Sequence, residues 1–255
     1  MLSALVLTLI SAAPADKLAT LESGCEHKIP SACTNLGRLY ARGEGVGQDL
    51  RKARKLYETA CDLNEGMGCN NLGSMLGESK RKTDRAKVIP LLEKGCSLGA
   101  GMACGNLGGR YLGGIDVPVD FKKAHELLER GCELGGGDAC HNLGYAYENG
   151  LGTKIDFARA GELYKKGCNL SPGGIACVNL GMMLENGRGR PVDFPEAARL
   201  YKQACDNGIG IACNNYGNFL VEGRGVKKDV AAGRLLLKKT CDAGTEQACV
   251  SLTSE

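Results

Sequence analysis

Fourteen cysteines fall into seven pairs that recur along the chain: Cys25 and Cys33, Cys61 and Cys69, Cys96 and Cys104, Cys132 and Cys140, Cys168 and Cys177, Cys205 and Cys213, and Cys241 and Cys249. Their first members lie 36, 35, 36, 36, 37 and 36 residues apart, and the spacing within a pair is C-x7-C six times and C-x8-C once. A period of that length describes stacked supersecondary units, each too small to bury a core alone. It replaces the one or two globular domains expected of 255 residues with an array. An even cysteine count in regular pairs reads as a disulfide framework made in an oxidising compartment. Structural zinc is the rival, but it brings ligands two to four residues apart. No C-x2-C occurs, and His27, His125 and His141 form no metal-spaced set. No metal and no cofactor are expected.

One unit can be read by aligning the copies on the second cysteine of each pair. Two residues later stands Asn35, Asn71, Asn106, Asn142, Asn179 or Asn215, followed by Leu or Tyr and then by Gly37, Gly73, Gly108, Gly144, Gly181 or Gly217. Cys33, Leu36 and Tyr40 step by three and four, one stripe of an amphipathic helix, called helix A. A connection follows with G-x-G in four copies: Gly43 and Gly45, Gly150 and Gly152, Gly187 and Gly189, and Gly223 and Gly225. A phosphate-cradling loop would need a preceding strand. After a helix, the first glycine reads as a left-handed C-cap.

Twelve residues before the next cysteine comes Asp49, Asp84, Asp120, Asp156, Asp193 or Asp229. Each aspartate lies a whole repeat from its neighbours, so none can share a proton with another; they read as N-caps. Helix B then shows Ala53, Leu56, Tyr57 and Ala60 at core spacing. Small residues just before the cysteine (Ala60, Gly95, Gly131, Gly167, Ala204) permit close helix approach. The first cysteine of a pair ends helix B and the second opens helix A of the next copy. Two antiparallel helices joined by a short turn bring such positions to bridging distance, roughly 5–6 Å between Cα atoms. The fold expected is an all-α αα-hairpin solenoid crosslinked once per repeat. Its repeats span about 29–64, 65–99, 100–135, 136–171, 173–208 and 209–244, with partial capping units outside.

Thirty-two basic and 29 acidic residues are mixed along the chain, and the longest basic cluster is Lys80-Arg81-Lys82, followed closely by Asp84. Nucleic-acid binding would want a basic stripe, which is absent. At the start, Leu2 to Ile10 is a short apolar stretch and Ala13-Pro14-Ala15 fits a signal-peptidase site. Residues 1–15 are therefore expected to be a signal peptide, although no Lys or Arg precedes the apolar stretch and an amphipathic first helix is the alternative. The stretch is too short to span a bilayer, and no other segment could. The mature protein is expected to be secreted or periplasmic, without membrane insertion.

The unit Cys33-Thr34-Asn35-Leu36-Gly37-Arg38-Leu39-Tyr40 through Lys52-Ala53-Arg54-Lys55-Leu56-Tyr57-Glu58-Thr59-Ala60-Cys61 resembles the Sel-like repeat (SLR) family, relatives of tetratricopeptide repeats. The cysteine pairs resemble in particular the secreted cysteine-rich Hcp proteins, which carry a beta-lactamase label. The likeness covers residues 16–255. The second copy departs most, with Ser79 for the loop glycine and Val88 where others have Ala. The resemblance implies a right-handed αα superhelix that binds a protein or peptide on its concave face. It also implies the alternative of penicillin-binding or beta-lactam hydrolysis.

The six asparagines are the candidate ligand-binding residues. Asn is a poor helix former, so its return in each helix A needs a reason. One is a ladder of amides pairing with an extended peptide; the other is bonding to adjacent helix backbone within the stack. Around them the residues differ by copy: Arg38 and Arg42, then Met75 and Glu78, Arg110, Tyr145 and Asn149, Met182, Met183 and Asn186, and Asn218, Phe219 and Glu222. Met183 and Phe219 read as core rather than pocket. No catalytic residue is expected. Serine beta-lactamases carry S-x-x-K with S-D-N and K-T-G. Here a single S-x-x-K, Ser79-Lys80-Arg81-Lys82, lies in a connection, and neither companion motif exists. The function expected is a non-catalytic scaffold for a protein or peptide; a third reading is structural, an envelope assembly adaptor whose partner is another cell-surface protein.

Overall fold

The computed structural model describes residues 14–253, which form fifteen helices and no strand. The expected signal peptide, apart from Pro14 and Ala15 at the start of the first helix, lies outside the described residues. The chain divides into two compact units, one ending at Leu107 and the other beginning at Gly108.

The first unit opens with α1 (Pro14–Glu26), a helix in the B position that carries the first cysteine of the first pair. Then come α2 (Pro30–Arg42) and α3 (Leu50–Asp62), the first A–B hairpin, and α4 (Gly66–Gly77), α5 (Lys82–Arg85) and α6 (Val88–Ser97), the second. Helix α7 (Gly101–Gly113) is helix A of the third copy. The second unit continues with α8 (Phe121–Glu133), then pairs α9 (Gly137–Asn149) with α10 (Phe157–Leu170), α11 (Ile175–Asn186) with α12 (Phe194–Asp206), and α13 (Gly210–Glu222) with α14 (Val230–Asp242). Helix α15 (Glu246–Thr253) is the closing stub of a helix A.

All fourteen cysteines are bridged, each to its near neighbour in sequence. Cys25 is joined to Cys33, Cys61 to Cys69, Cys96 to Cys104, Cys132 to Cys140, Cys168 to Cys177, Cys205 to Cys213 and Cys241 to Cys249. The Cα separations of 4.5–4.8 Å are shorter than the 5–6 Å anticipated and sit at the near end of the range a disulfide accepts. The close approach of the two helices explains the difference: a Cβ on Gly24, Gly95 or Gly167, just before the first cysteine, would stand 2.8–3.0 Å from Ala32, Ala103 or Ala176. The second cysteine is the deeper member: Cys33, Cys69, Cys104, Cys140 and Cys177 are inaccessible to solvent. Cys249, in α15, is half-buried. The turn inside each bridge needs one residue in the left-handed region. Glycine supplies it at Gly99, Gly135, Gly173, Gly208 and Gly244, while Lys28 and Asn64 adopt it in the first two turns.

The glycine of the N-L-G triplet has a steric purpose. A Cβ on Gly37 would stand 2.7 Å from the Tyr57 ring, one on Gly144 2.9 Å from Tyr164, and one on Gly181 2.7 Å from Tyr201. Gly108 and Gly217 stand as close to Leu128 and Leu237. Helix A thus offers bare backbone to the large side chain of helix B. The core built this way is shallow: alanines such as Ala53, Ala103, Ala124, Ala160 and Ala197 are fully buried between single Leu or Tyr residues. In the second unit Met183 and Phe219 join Tyr164 and Tyr201 in one cluster, as core side chains.

Gly43, Gly150, Gly187 and Gly223 are left-handed C-caps. Asp49, Asp120, Asp156, Asp193 and Asp229 are N-caps whose carboxylates accept from backbone N–H groups of the first turn, each worth about 1 kcal/mol. Asp84 is not a cap, and this corrects the sequence reading. Pro90 is the cause. Were Asp84 the cap, Pro90 would sit deep in the helix, without the N–H that position must donate and in collision with the preceding turn. Helix α6 instead starts at Val88, which places Pro90 in the first turn, and the freed residues wind into the single turn of α5.

Candidate functional site

Asn35, Asn71, Asn106, Asn142, Asn179 and Asn215 all lie on A helices and all are half-buried. The amides of Asn71, Asn106, Asn142, Asn179 and Asn215 meet a partner that the sequence reading missed, the residue directly after the second cysteine. In the first unit the buried Asn70, following Cys69, donates to Asn71 Oδ1 (3.3 Å) and accepts from Asn106 Nδ2 (2.8 Å). In the second unit Asn214, following Cys213, donates to Asn215 Oδ1 (3.2 Å) and accepts from Ser251 Oγ (2.9 Å). Ser251, two residues after Cys249, holds the asparagine position of the final stub. His141, following Cys140, takes the bridging place in the fourth copy, with Nδ1 3.1 Å from Asn142 Oδ1 and Nε2 3.0 Å from Asn179 Nδ2. Only a neutral ring protonated at Nδ1 satisfies both amides. In the third and fifth copies Cys104 and Cys177 are followed by Gly105 and Val178, so from the second copy onward polar bridges alternate with apolar contacts. A polar residue after every other second cysteine was the available signal.

Burial lowers the His141 pKa, against opposing effects of Asn142, Asp138 and Glu148. A histidine with a depressed folded pKa binds fewer protons folded than unfolded, so stability is complete above about pH 6.5 and is lost as pH falls toward the folded pKa. The limiting slope for one proton is about 1.4 kcal/mol per pH unit. Asparagine fills this position in the second and sixth copies, so His141→Asn should keep the bridge and remove the slope. Urea midpoints at pH 8 and pH 5 should converge in the variant relative to wild type. Equal pH dependence in both proteins would contradict this assignment.

A second polar arrangement involves helix B. In the fourth and fifth copies Tyr164 and Tyr201 are fully buried, and their OH groups donate to Glu148 (2.7 Å) and Glu185 (2.8 Å), eight residues after the second cysteine. The other oxygen of each carboxylate meets an arginine from the A–B connection of the next copy, Arg188 at 3.3 Å and Arg224 at 2.7 Å. Burial, and then the adjacent carboxylate, push both phenol pKa values far up, so the OH stays a donor. The first copy keeps the tyrosine, Tyr57, but has Ala41 where these glutamates stand. At that point a cleft of about 630 Å³ opens in the first unit, lined by Arg38, Ala41, Arg42, Leu50, Tyr57, Asn71, Ser74, Met75, Glu78 and Ser79.

Ser79 is one of the residues lining that cleft. Its hydroxyl donates to Asp84 Oδ2 (2.8 Å), and Arg81 and Arg54 pair with the same carboxylate at 2.9 and 3.3 Å. The Ser79 hydrogen bond first, then the two guanidiniums, hold the Asp84 carboxyl below the usual range. Lys82 begins the exposed turn of α5. The S-x-x-K serine is thus engaged with a carboxylate that ties the connection to α3. Among the described residues, no group of three or more His, Cys, Asp or Glu could hold a metal ion. Likewise no described helix is long and apolar enough to cross a membrane.

The Sel1 repeat pattern matches residues 30–65, 101–136, 137–172, 174–209 and 210–245; the Pro90-bearing copy lies outside the matched stretches. No curated protein matches the chain. Among solved structures, the chain is similar to a Sel1 repeat protein from Oxalobacter formigenes, at 25% identity over 91% of this chain and 100% of that one, with a TM-score of 0.74. It is also similar to c5321, a protective antigen of uropathogenic Escherichia coli with an SLR fold. The identity there is 24% over 92% of this chain, with a TM-score of 0.68, and the likeness spans 50% of that longer protein. The cysteine-rich protein B of Helicobacter pylori is 35% identical over 51% of this chain and 93% of that one, with a TM-score of 0.41.

Proposed function

Because the chain belongs to the Sel1 repeat family, we propose that it is a non-catalytic scaffold that binds a protein or peptide on the faces of its A helices, in an oxidising compartment. The observation that carries this reading is the combination of a constant frame with variable fillings. A half-buried asparagine recurs on each A helix from α2 to α13, and the residues flanking it change from copy to copy in charge and size. Repeat architectures obtain specificity in this way, with stacking fixed by one set of positions and recognition by another. The asparagines retain partial exposure, and those at 106 and 179 also tie neighbouring helices, so each can offer a donor or acceptor to an extended chain. Seven disulfides support a role outside reducing compartments.

The engagement of Ser79 with Asp84 argues against a serine nucleophile, which needs a base rather than an ion-paired carboxylate beside it. The test is a peptide array probed with the oxidised protein. Binding to a defined subset, weakened at least tenfold by Asn71→Ala, with no nitrocefin turnover above buffer by wild type or Ser79→Ala, supports the scaffold. Nitrocefin hydrolysis that disappears in Ser79→Ala would replace it with an enzyme.

A further inference from the structure

The cleft in the first unit is the fourth- and fifth-copy arrangement with its carboxylate missing and with Lys80 at the position of the arginine. In those copies a buried tyrosine donates to a carboxylate on the preceding A helix, and an arginine holds the other oxygen. In the first copy Tyr57 is also buried, at 4% exposed, against the same bare glycine, Gly37. Its OH has no hydrogen-bond partner among the described residues. The carboxylate position carries Ala41, and the volume a glutamate would take is open. Where the fourth and fifth copies have Tyr145 and Asn149, or Met182 and Asn186, this copy has Arg38 and Arg42. Both line the cleft. Arg42 pairs with the exposed Glu44 at 3.2 Å, and Arg38 has no ion-pair partner among the described residues. Both guanidiniums work against the burial that raises the Tyr57 pKa, so their charge reaches the phenol oxygen.

We propose that this cleft is a carboxylate-binding subsite: a carboxylate from a bound peptide takes the place that Glu148 and Glu185 occupy in the second unit, accepting from Tyr57 and pairing with Arg38 and Arg42. This deepens the scaffold reading and rests on it. Tyr57 sets the depth, since a phenol donor at the floor of a cleft favours a group that reaches it. The two guanidiniums supply charge-assisted bonds, each about twice as strong as a neutral one. Asn71 stands beside them with its amide on the same cleft. Glu78, also lining the cleft, disfavours a second negative charge there, so a single carboxylate is selected over a polyanion. The equivalent cleft in the sixth copy is smaller, about 160 Å³, and combines Leu237 with Asn218 and Glu222; it offers neither the phenol nor the paired cations.

The probe is an array of decapeptides made with free or amidated C-termini, and with Asp/Glu or Asn/Gln at internal positions. These arms distinguish a terminal carboxylate from a side-chain one. The subsite predicts that bound peptides contain at least one carboxylate and lose tenfold or more in affinity when it is amidated. Arg38→Ala with Arg42→Ala, both exposed and fold-neutral, should cause the same loss. Ala41→Glu should rebuild the internal carboxylate and block the subsite, and a melting curve no lower than wild type shows that variant folded. Peptides that bind equally well as amides, and equally well to both variants, would refute the subsite and leave the scaffold intact. An array without any bound peptide would remove both.

Discussion

Reduction of the seven disulfides should abolish most of the helical signal at 222 nm at 25 °C, while the oxidised protein remains folded under the same conditions. Each bridge spans a sequence separation of 8 or 9, and a loop of that size contributes about 2–3 kcal/mol by restricting the unfolded chain. Net stability of a protein is about 5–15 kcal/mol, so seven such contributions equal or exceed what remains after all other terms cancel. The core cannot substitute for them. It is rich in alanine and glycine, with a few Leu or Tyr side chains per hairpin and no Trp, and its helices of mostly 13 residues are marginal in isolation.

The position of the lost bridge matters as well. An array couples each hairpin only to its neighbours. Replacing Cys25 and Cys33 by Ala should release α1 alone, whereas replacing Cys205 and Cys213 should uncouple α12 from α13 inside the second unit. Hydrogen exchange on the two double variants reads this directly. A reduced protein that keeps its far-UV signal and melts within a few degrees of the oxidised one would show that packing, not crosslinking, carries the fold.

Much of this architecture was legible in the sequence because its determinants are local. The cysteine period, the aspartate twelve residues before it and the glycine ending helix A each act within one or two turns, so spacing alone assigns them. What escaped depends on a residue elsewhere. Asp84 has the spacing of a cap and loses that role to Pro90, six residues later. The asparagines were readable as a recurring position, but their partners Asn70, His141 and Asn214 belong to a register that repeats only in alternate copies. The cleft was the least legible part. It arises from Ala41, where a missing glutamate is informative only beside copies in which tyrosine and glutamate meet.

The second large effect is expected at Tyr201. Its ring is fully buried, edge-on to Phe219 at 5.3 Å between centroids, and pressed against bare Gly181. The Arg224 guanidinium lies 4.5 Å from the centre of Phe219 while pairing with Glu185. Tyr201→Ala removes the ring from the centre of a cluster that also holds Leu180, Met183, Leu200 and Phe219, and costs about 3–5 kcal/mol, the usual range for an aromatic truncated in a core. Tyr201→Phe keeps the packing and removes the bond to Glu185, which retains Arg224, together with the contact of the hydroxyl with Asn215; about 1 kcal/mol is expected. Combined with Glu185→Gln in a double-mutant cycle, the phenylalanine variant isolates the coupling between phenol and carboxylate. The larger loss should appear as faster amide exchange in α11, α12 and α13, the three helices that touch the ring or its partners. If Tyr201→Ala and Tyr201→Phe are equally destabilised, the hydrogen bond, rather than the fit of ring to glycine, holds this hairpin together, and the role assigned to the N-L-G glycine is wrong.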